Sequence, residues 1–228
     1  MNEHQNHEGS EKSTDHMDPF QKKMFEAIRF AGNHKKPLII AGCVLLAVVL
    51  IISGILYTIQ NSERKASALL AGSLESYRAE GSGSGGYEAA LEGFTRLLNE
   101  YPNTKAGKIG KFRFAGICYE ATKYDRAYDL YTEVLDDFKN DPVMESLAYN
   151  ALGRTCLALE NFDQAEKSFR KAAKMEKSVM KDEAVFSLGM VSEKDGSGES
   201  YDFFKDVVEN HPQSIYQPIA RSKTETFQ

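Results

Sequence analysis

The 228-residue chain has no tryptophan, three cysteines, five histidines and six prolines. Cys43, Cys118 and Cys156 cannot make a disulfide framework, and their spacing fits neither a redox nor a zinc motif. Cys118 and Cys156 are read either as a pair in an oxidising compartment or as two small core residues. Beyond residue 60 the one histidine is His211, before Pro212, and no nucleophile elbow accompanies it. The motifs HExxH and GxxxxGK are missing as well. The run GSGSGG at 81–86 lacks a lysine and follows no strand, so it reads as a flexible inter-helix loop. Acidic pairs such as Asp136-Asp137 read as solvated. The expectation is a protein that is not an enzyme, with no cofactor, no metal and no small-molecule substrate. Residues 60–228 carry 22 Lys and Arg against 27 Asp and Glu, and this mildly acidic balance argues against nucleic acid.

What is present begins with one apolar run. From Leu38 to Ile59 there are 22 residues without a charge, roughly 33 Å as a helix against a hydrocarbon core of about 30 Å. Within it Ile40-Ala41-Gly42-Cys43 has the form of a lipid-attachment box. A cleavable signal needs its apolar stretch before the cut, whereas here that stretch lies after Cys43. A cut after Ala66-Ser67-Ala68 fits no better. Residues 37–60 are therefore read as an uncleaved transmembrane helix, in which Ala41, Gly42 and Ala47 offer a small-residue face for packing on another membrane helix. Lys22, Lys23, Arg29, Lys35 and Lys36 precede the run, and Arg64, Lys65 and Arg78 follow it. That bias predicts a cytoplasmic N-terminus and an exported C-terminal part.

Residues 1–17 are polar and aperiodic and are expected to be a disordered cytoplasmic tail; His4, His7 and His16 are too loosely spaced for a metal site. Asp18-Pro19-Phe20-Gln21 reads as a helix start. Phe20, Met24, Ile28 and Ala31 share a face, Phe25 lies beside them, and Lys22, Lys23 and Arg29 lie on other faces. Residues 18–36 thus form a basic amphipathic helix, suited either to the lipid headgroup layer or to a partner membrane protein.

Residues 61–228 carry a repeat. Ala115-Gly116 is followed by Tyr124, Ala127, Tyr131 and Val134; Leu152-Gly153 is followed by Phe162, Ala165, Phe169 and Ala172. Leu188-Gly189 followed by Phe204 and Val207 is a weaker copy, and Tyr87, Ala90, Phe94 and Leu97 supply half of an earlier one. Glycines 116, 153 and 189 are 37 and 36 residues apart. Each unit reads as two helices that cannot bury their apolar faces alone, so the units stack. Small residues such as Gly153 admit close helix approach, and Phe162 and Phe169 fill the gap. The predicted fold is all-α, with one N-terminal transmembrane helix followed by a helical-hairpin solenoid of about four units, the first and last degenerate. Pro218 predicts that any helix in 213–228 is short or starts near it.

At Leu152, Gly153, Phe162, Ala165, Phe169 and Ala172 the chain resembles tetratricopeptide repeat proteins; 109–142 matches with one residue missing between the helices. The layout and the junction NSERKASALL resemble the YfgM-type ancillary subunits of the Sec translocon. That resemblance implies a single-pass bacterial inner-membrane protein with a periplasmic repeat domain. Its partners would be proteins: SecYEG translocon subunits and exported or periplasmic clients handled as by a chaperone or adaptor. A scaffold in envelope assembly or cell division is the alternative. Carrying the family's groove positions over gives Arg113, Ile117 and Glu120, then Asn150, Arg154 and Leu157, then Phe186, Met190 and Glu193. The mixture suits an extended segment with apolar side chains and a carboxylate or backbone carbonyls. The competing reading is a mixed set of surface and core residues without a ligand.

Overall fold

A computed structural model describes residues 18–226; the expected tail, 1–17, lies outside the described residues. The chain divides between Thr58 and Ile59 into two compact units. Ten helices make up the described residues, which contain no strand.

The first unit holds α1 (Pro19–Asn33) and the apolar part of α2 (Lys35–Glu80). Asp18 occupies the N-cap of α1 without a side-chain capping bond, and Pro19 sits in the first turn, where a missing N–H costs nothing. His34 ends α1: its backbone N–H and its Nδ1 both lie on the Phe30 carbonyl, and its ring stacks on Phe30 at 4.3 Å. α2 is the one described helix long and apolar enough to cross a membrane, and its apolar stretch has no buried residue.

The second unit is built from hairpins. The C-terminal part of α2 meets α3 (Ser84–Glu100), with Ser73 against Gly93 and Tyr77 against Gly86. Then α4 (Lys105–Glu120) pairs with α5 (Tyr124–Asp137), α6 (Pro142–Ala158) with α7 (Phe162–Lys174), and α8 (Lys181–Asp195) with α9 (Ser200–Asn210). The second helix of each hairpin packs on the first helix of the next, and α10 (Gln217–Glu225) packs on α9. α10 opens with Pro218 in its first turn, where proline is tolerated.

Side-chain caps set several boundaries. Thr104 Oγ1 accepts from Gly107 N, Asp141 Oδ1 from Val143 N and Met144 N, and Asn161 Oδ1 from Gln164 N, each satisfying an amide that the helix leaves free. α4 has a second cap from far along the chain. The Glu63 carboxylate accepts from Lys105 N and Ala106 N, both at 2.9 Å, placing negative charge at the positive end of the helix.

The core runs through the hairpins. Ala90, Phe94 and Leu97 of α3, Phe114, Ala115 and Cys118 of α4, and Ala127, Leu130 and Tyr131 of α5 form one cluster with Leu152, Cys156, Ala165 and Phe169. Phe94 and Phe114 stack at 4.9 Å. A second cluster, Val185, Phe204, Val207 and Ala220, closes the C-terminal end. A Cβ on Gly153 would lie 2.7 Å from the Phe169 ring, and one on Gly189 would lie 2.6 Å from Phe204. The aromatic rings therefore occupy space that the glycines leave open. Cys118 and Cys156 are free and fully buried, and burial pushes both thiols up to about 11; they are core residues, not a bridge.

The GSGSGG stretch is only half loop. Gly81 and Gly83 turn the chain with positive φ, but Ser84, Gly85 and Gly86 already belong to α3. Gly86 sits where a side chain would strike the Gly81 carbonyl and the Tyr77 ring.

Candidate functional site

The turn inside two hairpins fixes the register of the repeat. Lys123 N donates to Cys118 O and Asn161 N to Cys156 O, both at 2.8 Å. One non-glycine residue in each turn, Thr122 or Glu160, takes positive φ. The two turns are equivalent without a gap, so the units are related by 38 residues at this point. Ala115, not Gly116, is then the counterpart of Gly153. Side-chain pairs agree: Lys111 meets Glu133 at 2.9 Å where Tyr149 meets Lys171, and each member is 38 residues from its counterpart.

This register corrects the positions expected in α4. The counterparts of Asn150, Arg154 and Leu157 are Phe112, Gly116 and Tyr119, each one residue before Arg113, Ile117 and Glu120. Ile117 is accordingly buried at 4% exposure and belongs to the core. Arg113 is exposed, and Glu120 is exposed and receives a hydrogen bond from the Tyr77 hydroxyl. The missed residue is Tyr119. Its signal was present in the sequence, because CYEATKYDRAY and CLALENFDQAE align from cysteine to cysteine without a gap.

The first helices of three successive hairpins are joined through Arg154. Its guanidinium lies 5.9 Å from the centre of the Tyr119 ring on α4, and its Nη1 lies 3.4 Å from Glu183 Oε1 on α8. The Arg154 side chain remains 47% exposed, whereas that of Glu183 is 5% exposed. Burial raises the Glu183 carboxyl above its ordinary range, Arg154 opposes that rise, and Asp182 adds to it. Arg154 thus presents open N–H donors beside an aromatic face, an arrangement that accepts a carboxylate or peptide carbonyls.

Asn150 is 1% exposed and holds structure together. Its Nδ2 donates to the carbonyls of Ser146 at 3.1 Å and of Met180 at 3.4 Å, tying α6 to the approach of α8. Leu157 is half-buried against the core. The three expected residues on α8 meet the end of the chain. Phe186 stacks on Tyr216 at 4.8 Å, Met190 packs in the terminal cluster, and Glu193 pairs with Lys223 of α10 at 2.5 Å. The structure therefore brings together Tyr119, Arg154 and Glu183 and engages Phe186, Met190 and Glu193 with the chain's own C-terminal segment. Ala41, Gly42 and Ala47 lie on the apolar stretch of α2, with nothing within 4 Å of a Cβ at Gly42. No group of described residues has the composition of a metal site.

No protein-family profile and no curated protein sequence matches the chain. Among solved structures it is similar to the apo form of RapI, an all-helical, tetratricopeptide-like repeat protein, with a TM-score of 0.61 at 16% identity. The superposition covers 72% of this chain and 46% of RapI, so the chain spans about half of that protein's length. At this identity the likeness shows the fold alone, a helical repeat.

Proposed function

We propose that this chain is a membrane-anchored repeat protein that binds other proteins through the row of first helices in its hairpins. The observation that carries the reading is the Tyr119–Arg154–Glu183 arrangement, in which a half-exposed guanidinium is positioned from both sides. A buried carboxylate on one flank and an aromatic ring on the other hold Arg154 in place. An extended peptide then finds preorganised donors, and less side-chain ordering is needed on binding.

The anchor in this reading is the apolar stretch of α2. Its basic N-terminal flank favours a cytoplasmic N-terminus, which puts the repeats in the periplasm of a bacterium. The resemblance to YfgM-type subunits extends the proposal to an ancillary role beside the Sec translocon, as a chaperone-like adaptor for exported proteins. In vivo photo-crosslinking from position 154 tests it. Crosslinks to exported proteins are expected, together with recovery of translocon subunits in mild detergent. Replacing residues 1–60 with an unrelated anchor should abolish that recovery. Envelope or division-complex partners that survive the replacement would overturn the translocon role in favour of a scaffold.

A further inference from the structure

The strongest unassigned surface is α1. Wound at 100° per residue, its sequence places Phe20, Ala31, Met24, Ile28 and Phe25 on one arc with Gln21 and Gly32, while Arg29, Lys22, Asn33, Glu26 and Lys23 lie on the opposite side together with a single aromatic, Phe30. Phe20, Met24, Phe25 and Ile28 are between 46% and 74% exposed, so nothing among the described residues covers this arc. Glu26 is the only acid in the helix, and Lys35 and Lys36 follow it directly. An apolar face flanked by uncompensated cations matches an anionic lipid surface in both of its properties: acyl boundary for the rings, phosphates for the lysines. Helix composition supports the same occupant, since the next element is, among the described residues, the one helix long and apolar enough to cross a bilayer. We propose that α1 lies in the plane of an anionic membrane surface with the Phe20–Met24–Ile28 arc inserted and Lys22, Lys23 and Arg29 at the headgroups. This rests on the reading that α2 is the anchor.

The absence of tryptophan supplies the test, because any introduced tryptophan is the sole such fluorophore. The full chain carrying Met24→Trp or Phe30→Trp is reconstituted into phosphatidylcholine vesicles with and without phosphatidylglycerol, with bromine on the acyl chains near the headgroups. Quenching at position 24 is expected to exceed that at position 30 about twofold or more in the anionic vesicles. Replacing Lys22, Lys23 and Arg29 with glutamine should reduce it to the level in neutral vesicles. Equal quenching at both positions overturns the proposal. Water-like emission at both, with the chain still vesicle-bound, also overturns it and assigns the arc to a protein partner. Flotation separates this from the anchor reading. A variant with Phe20, Met24, Phe25 and Ile28 all changed to glutamine still floats after alkaline carbonate if α2 spans. A parent chain that is stripped by carbonate, or that never floats, overturns the anchor and with it the α1 proposal, whereas equal quenching in a chain that resists carbonate overturns the α1 proposal alone.

Discussion

Single residues in this chain act through the space and charge immediately beside them. Gly153 faces the Phe169 ring at a distance that leaves no room for a methyl group, whereas a Cβ on Gly116 would meet only the Tyr131 hydroxyl, at 3.5 Å. Gly153→Ala is expected to destabilise the chain by about 1–3 kcal/mol through overpacking. Gly116→Ala is expected to stabilise it by up to about 1 kcal/mol through helix propensity; urea midpoints of the two variants check both signs. Both glycines were legible as small positions, but that they are not counterparts of one another was not. Matching Gly to Gly hid the turn that aligns Cys118 with Cys156. Glu183 gives a pH-dependent expectation. Burial raises its carboxyl above the ordinary 4.5 in spite of Arg154, so the folded chain keeps that proton to higher pH than the unfolded chain does. Its contribution to stability is fully present below about 4.5 and is lost as pH rises through the folded value. Relative to the parent, Glu183→Gln should therefore gain stability as pH rises from about 4.5 through the folded value, measured as the difference in denaturation midpoints.

Between neighbouring elements, the turns decide the register and carry strain. Thr122 and Glu160 adopt φ of 59° and 57°, a region that costs an L residue about 1–2 kcal/mol. Thr122→Gly and Glu160→Gly should each raise stability by about 0.5–1 kcal/mol, more at the β-branched threonine, as read by thermal unfolding. A loss of stability at either site would show that its side chain does more than occupy the turn. These turns were invisible to a reading that expects glycine or asparagine at positive φ. The same rule overextended the GSGSGG loop, where the last glycine serves close packing against Tyr77 rather than backbone freedom. Helix identity was easier to read, because the recurrence of Ala127, Tyr131 and Val134 and of Ala165, Phe169 and Ala172 is the periodicity of a buried helical face.

For the molecule as a whole, helical-repeat architecture was legible because each hairpin repeats the same burial problem, while the face proposed for binding was only partly so. The residues offered by α8 depend on α10, a helix that the repeat pattern does not specify. Ending the chain after Ser214 should uncover Phe186, Phe204 and Val207 of the terminal cluster. The expected melting temperature falls by about 2–4 °C for each kcal/mol lost, and dye binding to exposed apolar surface should rise. An unchanged melting temperature would mean that α10 is dispensable to the array. The Glu63 carboxylate on the first turn of α4 has a practical corollary. Residues just after the apolar run belong to the first hairpin: Ala66 and Ser73 are buried in it, and Glu63 caps a helix some forty residues further on. A soluble fragment begun at Leu70, beyond the charged junction, would leave two amides of α4 without their acceptor. One begun at Ile59 keeps the cap, so four charged and polar residues, Asn61 to Arg64, set where the repeats can be cut free.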